Sequence, residues 1–177
     1  MLILHVTRDY APAHCGGTST AVLGLTRALN HKGVEGRIVS FEQWRPRAKS
    51  SGAPLRIERF EDFNVARLST PDQLEQARNW AVEEPFDLIV VHHEMLWEFA
   101  FDIATKRSKP CVLVVHVLQA AMNRVRNIEE RTMSLVAQEQ ALGEAHAVVA
   151  TSEAVYLEIA EAQPELKGKL YRLGLGI

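Results

Sequence analysis

Cysteine is scarce in this sequence, and long apolar runs are lacking. The 177 residues include two cysteines, Cys15 and Cys111, which form neither a metal-ligand spacing nor a disulfide framework. Arg8 and Asp9 interrupt the opening apolar run too early for a signal peptide, and the run from Cys111 to Val115 is far too short to span a membrane. These shortages predict a cytoplasmic protein in a reducing compartment, with no membrane span and no export signal.

A large charge of either sign is also lacking. Lysine and arginine number 20 against 22 aspartates and glutamates, a net charge of −2 at pH 7. No overall field therefore attracts nucleic acid or an anionic membrane, so we expect no nucleic-acid partner, and nothing in the sequence supports peripheral membrane contact. Apolar residues make up 47% and charged residues 24%, which is typical of one globular domain.

Short apolar runs alternate with longer amphipathic stretches, which is the pattern of βαβ units and predicts an α/β fold with a mostly parallel sheet. The expected strands, about seven, are Leu2–Thr7, Gly36–Phe41, Ile57–Phe60 with Asn64–Leu68, Leu88–His92, Cys111–His116, Ala147–Thr151 and Leu170–Leu173. The expected helices are Thr18–Lys32, Pro71–Glu83, Met95–Lys106, Ile128–Leu142 and Glu153–Ala162. Thr18 or Ser19 should cap the first helix, and Gly33 should be the left-handed residue after it.

A glycine pair, Gly16 and Gly17, lies between the first expected strand and the first expected helix. Glycines there allow close approach to the N–H groups of a helix N-terminus, and left-handed conformations that aim those groups at an anion. The spacing is neither G-x-G-x-x-G nor the Walker pattern, and glycines also occur at corners that need only a tight turn. The pair therefore predicts one of two roles: contact with a phosphate or a sugar, or a tight turn that binds no ligand.

Two histidines, His92 and His116, each end an expected strand. Because the carboxyl ends of parallel strands meet at one edge of a sheet, both should lie beside the glycine pair at a ligand crevice. Neutral imidazole both donates and accepts hydrogen bonds, which suits a hydroxylated, phosphate-bearing ligand; the alternative is a histidine that is merely satisfied at a strand end. His5, within a strand, and His31, near a helix end, are interpreted as structural.

The His92-His93-Glu94 segment does not predict a metal site. Successive side chains on a strand point to opposite faces, and Trp97 stands where a His-Glu-x-x-His motif needs its second histidine. Glu94 is instead expected to cap the following helix, because a carboxylate complements the positive end of the helix dipole. We therefore expect no bound metal.

The stretch from Gln43 to Pro54 has the composition of a linker, with three positive charges, two prolines and Ser-Ser-Gly. It predicts an exposed loop after the second strand, whose charged side chains serve solubility. In the alternative interpretation, Arg45, Arg47 and Lys49 bind a phosphate or carboxylate of a substrate or of a lipid head group.

Four motifs in the same order resemble the N-terminal domain of family 4 retaining glycosyltransferases, which have the GT-B fold. The family's Ile-Leu-His-Val strand, Tyr-x-Pro loop, Gly-Gly and leucine-rich helix correspond to residues 3–33. Its Asp-x-Ile-x-x-His signature matches Asp87–His92, its Pro-x-Val-x-x-x-His strand matches Pro110–His116, and a later strand and cap match Ala145–Ser152. The resemblance spans almost the whole chain.

The resemblance implies that residues 1–177 form one Rossmann-like, doubly wound domain, the acceptor-side half of a GT-B fold whose C-terminal donor-binding domain lies outside this sequence. It implies sugar transfer from a nucleotide-sugar to a glycan, lipid or small-molecule acceptor, with no separate cofactor. Gly16 and Gly17 would lie near the donor diphosphate and acceptor, His116 near the transferred sugar, and His92 on the acceptor side. Without the C-terminal domain, this half of a hexosyltransferase should not catalyse sugar transfer.

The sequence departs from the family's pattern at two positions, and other functions stay open. Val117 stands where the family often has Asp or Thr, and His146 stands where it has Asp. A non-catalytic binding or partner subunit that pairs with a separate catalytic chain would share the fold. An NAD-binding or flavodoxin-like domain is a third alternative, for which Glu42 is the only acidic residue near the expected ribose position.

Overall fold

The computed structural model describes residues 1–12, 16–42 and 51–174, which form an eight-stranded sheet with helices on both faces. The strands are β1 (Leu2–Thr7), β2 (Glu35–Phe41), β3 (Arg56–Phe60), β4 (Phe63–Leu68), β5 (Leu88–Val91), β6 (Cys111–Val115), β7 (Ala147–Ala150) and β8 (Leu170–Arg172). Their spatial order is β3-β4-β2-β1-β5-β6-β7-β8, and every neighbouring pair is parallel except β3 with β4. The predicted Rossmann-like, mostly parallel sheet is confirmed.

The helices are α1 (Gly17–Asn30), α2 (Asp72–Glu83), α3 (Trp97–Lys106), α4 (Gln119–Val125), α5 (Met133–Glu144) and α6 (Glu153–Ala162), with 3-10 segments at Glu94–Leu96 and Pro164–Gly168. α1 packs on one face of the sheet, where Val22 and Leu29 contact apolar strand residues. The larger core cluster on the other face takes residues from α2, α3, α5 and α6. The sheet is therefore doubly wound. No helix in the described ranges is both long and apolar enough to cross a membrane.

The expected seven strands become eight because the Ile57–Phe60 and Asn64–Leu68 segments belong to separate strands of an antiparallel hairpin. Glu61 lies in the turn between them with a φ of 52°. Its carboxylate forms an ion pair with Arg27 of α1, so the hairpin is tied to the first helix.

The sequence pattern misses α4 and starts α5 too early, at Ile128 instead of Met133. Both boundaries depend on hydrogen bonds from side chains. Gln138 of α5 accepts a hydrogen bond from the first backbone N–H of α4, at Gln119. Thr132 caps α5, because its hydroxyl accepts from the N–H of Leu135. A cap from another helix leaves no local signal in the sequence.

The caps of α1 differ from the prediction at the start and agree with it at the end. Gly16 is the N-cap residue, and Thr18 and Ser19 lie inside the first turn, so the prediction that one of them is the N-cap was wrong. Gly33 has a φ of 76°, and the N–H of Val34 bonds the carbonyl of Leu29 at 3.0 Å. The left-handed residue after α1 is confirmed.

We expect Gly33→Ala to lower the free energy of unfolding by about 1 kcal/mol, because a left-handed φ strains a residue with a Cβ. Gly24→Ala is the matched control: Gly24 lies within α1, with no atom within 4 Å of an added Cβ, and the change should raise stability by about 0.5 to 1 kcal/mol. Urea unfolding measures both. Equal effects of the two substitutions would contradict the assignment of Gly33.

Candidate functional site

A cavity of about 130 Å³ lies at the carboxyl edge of the sheet, between the start of α1 and the residues that follow β5 and β6. Its lining includes these polar side chains: Thr18, His92, His93, Glu94, His116 and Gln119. Thr18 follows the glycine pair directly, so the structure brings the start of α1 and both predicted histidines to one cavity. Thr18, Gln119 and Gln138, which also line it, were not predicted from the sequence to be site residues.

His5, His92 and His116 form a row of neighbouring imidazoles on the α1 face of the sheet. Nδ1 of His5 lies 3.1 Å from Nε2 of His92, and Nδ1 of His92 lies 3.4 Å from Nε2 of His116. The ring centroids are 5.4 Å and 5.7 Å apart. His5, interpreted from the sequence as structural, therefore contacts the predicted site through His92.

Strand register explains this row. His5 of β1 pairs with Val90 of β5, and Val90 pairs with Val112 of β6. Side chains two residues apart share a face of a strand, so His92 stands one same-face step beyond Val90. His116 stands two such steps beyond Val112. From His5 to His92 to His116, each imidazole thus lies on the next strand of the sheet and two residues closer to its carboxyl edge.

Burial keeps these imidazoles neutral. His5 is 1% exposed and His92 is 3% exposed, whereas His116 is only partly buried at the cavity. Desolvation lowers the pKa of His5 and of His116 to about 4, and the nearby His93 also lowers the pKa of His116. Burial, followed by the neighbouring imidazoles, lowers the pKa of His92 well below its ordinary value. At neutral pH each ring can donate one hydrogen bond and accept one.

Gly17, at the start of α1, is exposed. Gly16 has a φ of −81° and Gly17 is the first residue of α1, so the expected left-handed conformation was wrong. A Cβ added to Gly17 would meet no atom within 4 Å among the described residues. The first turn of α1 carries no acidic residue, so no carboxylate there offsets the positive end of its dipole. Among the described residues, Gly17 therefore leaves an unobstructed surface at the start of α1.

Arg67 of β4 holds the loop that leads to the glycine pair. Its side chain is 2% exposed, and its guanidinium donates to the carbonyls of Tyr10 and Ala11 and pairs with Glu42 and Glu58. Paired charges and donated hydrogen bonds compensate the cost of burying the cation. Sequence reasoning missed this anchor, although an arginine within an apolar strand is a signal for a buried partner. Glu42, the candidate ribose ligand, is engaged by this arginine.

Glu94 does not cap the following helix, so that prediction was wrong. His93 is the N-cap residue of the 3-10 segment, because its Nδ1 accepts from the N–H of Met95. The Glu94 carboxylate is buried and accepts a hydrogen bond from Nε2 of Gln119 at 3.0 Å, which ties the β5 loop to α4. A carboxylate at the start of a helix can either cap that helix or bond a residue from another loop. Which of the two it does depends on the tertiary structure.

Several predicted residues lie away from the cavity or outside the described residues. Nδ1 of His146 accepts from the N–H of Cys111, at the start of β6. His31 is exposed at the end of α1. Arg45, Arg47 and Lys49, the candidate anion-binding residues, and Cys15 lie outside the described residues. Over the ranges that it does describe, no group of three or more His, Cys, Asp or Glu side chains is arranged to hold a metal ion.

We expect the free energy of unfolding to fall as the pH drops from about 6.5 towards 4. In this window an unfolded histidine binds a proton, whereas buried His5, with its pKa lowered to about 4, does not. Each such histidine contributes a slope of up to about 1.4 kcal/mol per pH unit. Urea unfolding between pH 5 and 6.5 should give a shallower slope for His5→Phe than for wild type.

The control for this experiment is His31→Gln, which removes an exposed imidazole and should leave the slope unchanged. Equal slopes for wild type and His5→Phe would show that His5 accepts a proton in the folded protein as readily as in the unfolded chain.

Three solved structures superpose on nearly the whole chain. Sucrose-phosphate synthase from Thermosynechococcus elongatus gives a TM-score of 0.67 at 14% sequence identity, over 98% of this chain and 47% of that one. Arabidopsis thaliana UGT89C1, solved with UDP, gives 0.61 at 15% identity, over 98% and 48%. The lipopolysaccharide outer core galactosyltransferase WaaB gives 0.59 at 11% identity, over 96% and 44%. The chain spans about half the length of these proteins, and at such identities the likeness establishes the fold.

The sequence itself supports a closer assignment. No curated protein matches the chain significantly. A model of the family described as "Glycosyl transferase 4-like domain", however, matches residues 16–165, from the glycine pair through α6. Because the match covers most of the chain, the chain belongs to the glycosyl transferase 4-like domain family.

Proposed function

We propose that this chain is the N-terminal, acceptor-side half of a retaining glycosyltransferase. It would transfer a hexose from a nucleotide-sugar donor to a glycan, lipid or small-molecule acceptor, with a second domain holding most of the donor. The observation that carries the proposal is the cavity at the carboxyl edge, where the open start of α1 and His116 lie together. Family membership and the GT-B-like fold support it.

In this proposal the start of α1 receives the donor diphosphate. The open surface of Gly17 lets a phosphate approach the helix N-terminus, and the helix dipole favours an anion there. UGT89C1, one of the proteins with this fold, was solved with UDP, a nucleoside diphosphate. Stabilising the departing diphosphate would lower the barrier for breaking the glycosidic bond.

His116 is the proposed catalytic residue. Its imidazole is neutral at physiological pH and lines the cavity, so it can hydrogen-bond the transferred sugar without adding a charge. Positioning of the sugar and stabilisation of the diphosphate then carry most of the rate enhancement, and a protein nucleophile and a metal are not required. His92 would line the acceptor side of the same cavity.

We expect the protein expressed from its own gene, supplied with its second domain where that is a separate chain, to transfer sugar from one of a panel of nucleotide-sugars. His116→Ala should lower kcat by about 100-fold to 1,000-fold, the loss typical of a deleted transition-state hydrogen bond. His31→Ala, at an exposed site on α1, is the control and should retain full activity. Transfer is followed by release of the nucleoside diphosphate.

Full activity of His116→Ala would remove His116 from the mechanism. Absence of transfer by wild type with every donor, together with stable association with a separate catalytic chain, would favour the partner-subunit function instead.

A second substitution tests the glycine corner. Gly17→Val should raise the KM for the nucleotide-sugar by about tenfold or more, since its side chain would project into space that the diphosphate needs. The fold should be unaffected, because no described atom beyond the chain neighbours and the helix's own backbone lies within 4 Å of the added Cβ. Gly24→Val, in the middle of α1 and equally free of neighbours, should leave KM unchanged. An unaltered KM in Gly17→Val would place the diphosphate elsewhere.

A further inference from the structure

The three imidazoles, joined by contacts between their ring nitrogens, form a connected path from the core to the cavity. His5 and His92 are almost completely buried, and His116 lines the cavity. Both contacts have the same direction, since each joins the Nδ1 of one ring to the Nε2 of the next. Both ring nitrogens of His92 are therefore engaged by other imidazoles. At His116, Nε2 is engaged and Nδ1 is the remaining nitrogen that a ligand could use.

This connectivity restricts where the protons stand. A neutral imidazole carries one N–H, and each contact needs one donor and one acceptor. If the proton of His92 is on Nδ1, that atom donates to Nε2 of His116, and Nε2 of His92 must accept from Nδ1 of His5. All three rings then carry the proton on Nδ1. If His92 is protonated on Nε2, the same reasoning puts the proton on Nε2 in all three rings.

The tautomers of the three rings are thus coupled, and only two uniform arrangements satisfy both contacts. In one arrangement the remaining nitrogen of His116 is an N–H donor; in the other it is a lone-pair acceptor. A sugar hydroxyl or a phosphate oxygen meets a different partner in each case, since phosphate can only accept from a donor.

We propose that His5 is a positioning residue that acts through His92 to fix which ring nitrogen of His116 carries the proton. His5 would not touch a ligand, because it is separated from the cavity by His92. Its effect on catalysis rests on the proposed function, in which His116 contacts the sugar. The coupling of the tautomers rests only on the geometry of the three rings. An orienting hydrogen bond of this kind sets the working tautomer of histidine in other catalytic sites.

The experiment measures tautomers directly. Two-bond ¹H–¹⁵N correlation spectra of the ¹⁵N-histidine-labelled protein, recorded near pH 7.5 without substrate, distinguish N–H from lone-pair nitrogens in each ring. Wild type should show His5, His92 and His116 in the same single tautomer. His5→Phe keeps a ring of similar shape but removes both nitrogens, so His116 should change to a mixture of tautomers or to the other one. His31→Phe is the control and should leave the three spectra unchanged.

A mixed set of tautomers in wild type would overturn the proposal, and so would an unchanged His116 signal in His5→Phe. The wild-type measurement needs no variant, so it holds even if His5→Phe does not fold. His5→Asn provides a second variant: its amide can hydrogen-bond Nε2 of His92 as donor or as acceptor, so the tautomer of His116 should be closer to that of wild type than in His5→Phe.

A kinetic readout links the tautomer to the proposed function. If His116 acts as proposed, His5→Phe should lower kcat by about 10-fold to 100-fold with little change in KM, and His5→Asn should recover part of the loss. Failure of the proposed function would abolish this kinetic effect and leave the spectra as expected. Failure of the coupling would appear in the spectra themselves, as unlike tautomers in wild type or an unchanged His116 signal in His5→Phe, whatever the enzyme transfers.

Discussion

The parallel register between β1, β5 and β6 is the constraint on which the candidate site depends. It sets His5 beside Val90 and Val90 beside Val112, so three imidazoles lie on one face in an ordered row. A slip of one residue would turn His5 towards the opposite face, where Leu4 and Val6 now pack in the main core. Burial of those apolar side chains therefore fixes the register, and the register fixes the geometry of the site.

Polar groups buried near the site are held by specific partners. Arg67 binds two carboxylates and two loop carbonyls, and Gln138 joins α4 to the β6 loop by accepting from Gln119 and donating to the carbonyl of Val117. A buried polar group without a partner destabilises the folded state, so these contacts make each loop adopt one position. Arg67 and Gln138 thus hold loops near the cavity in place by hydrogen bonds, while Gly17 at the start of α1 stays exposed.

The fold of this chain does not by itself determine its substrate. Proteins that share this fold at 11% to 15% identity include a sucrose-phosphate synthase and a lipopolysaccharide outer core galactosyltransferase, whose names indicate different products. A shared sheet can host different substrates because specificity lies in the loops at its carboxyl edge. Here those loops contribute His93, Glu94 and Gln119 beside His116, a set of side chains suited to hydroxyl groups.

The sequence determined the elements whose signal is local and repeated. Continuous apolar runs marked the strands, helical spacing marked α1, and strand-end positions placed His92 and His116 at one edge. It did not determine features that depend on partners distant in the chain. The start of α4 needs Gln138 of another helix, and Arg67 acts on a loop more than fifty residues away in the sequence.

His5 shows most clearly which features the sequence determines and which features depend on the tertiary structure. Its position within β1 could be read from the apolar pattern, and its face followed from the alternation of side chains along a strand. Its contact with His92 depended on which strands are neighbours and in what register, and the strand order comes from packing of the whole sheet. The sequence alone therefore determined the sheet and the residue types at its edge. The tertiary structure decided that three imidazoles distant in the chain form one connected row, because contacts between strands are set by burial across the complete core.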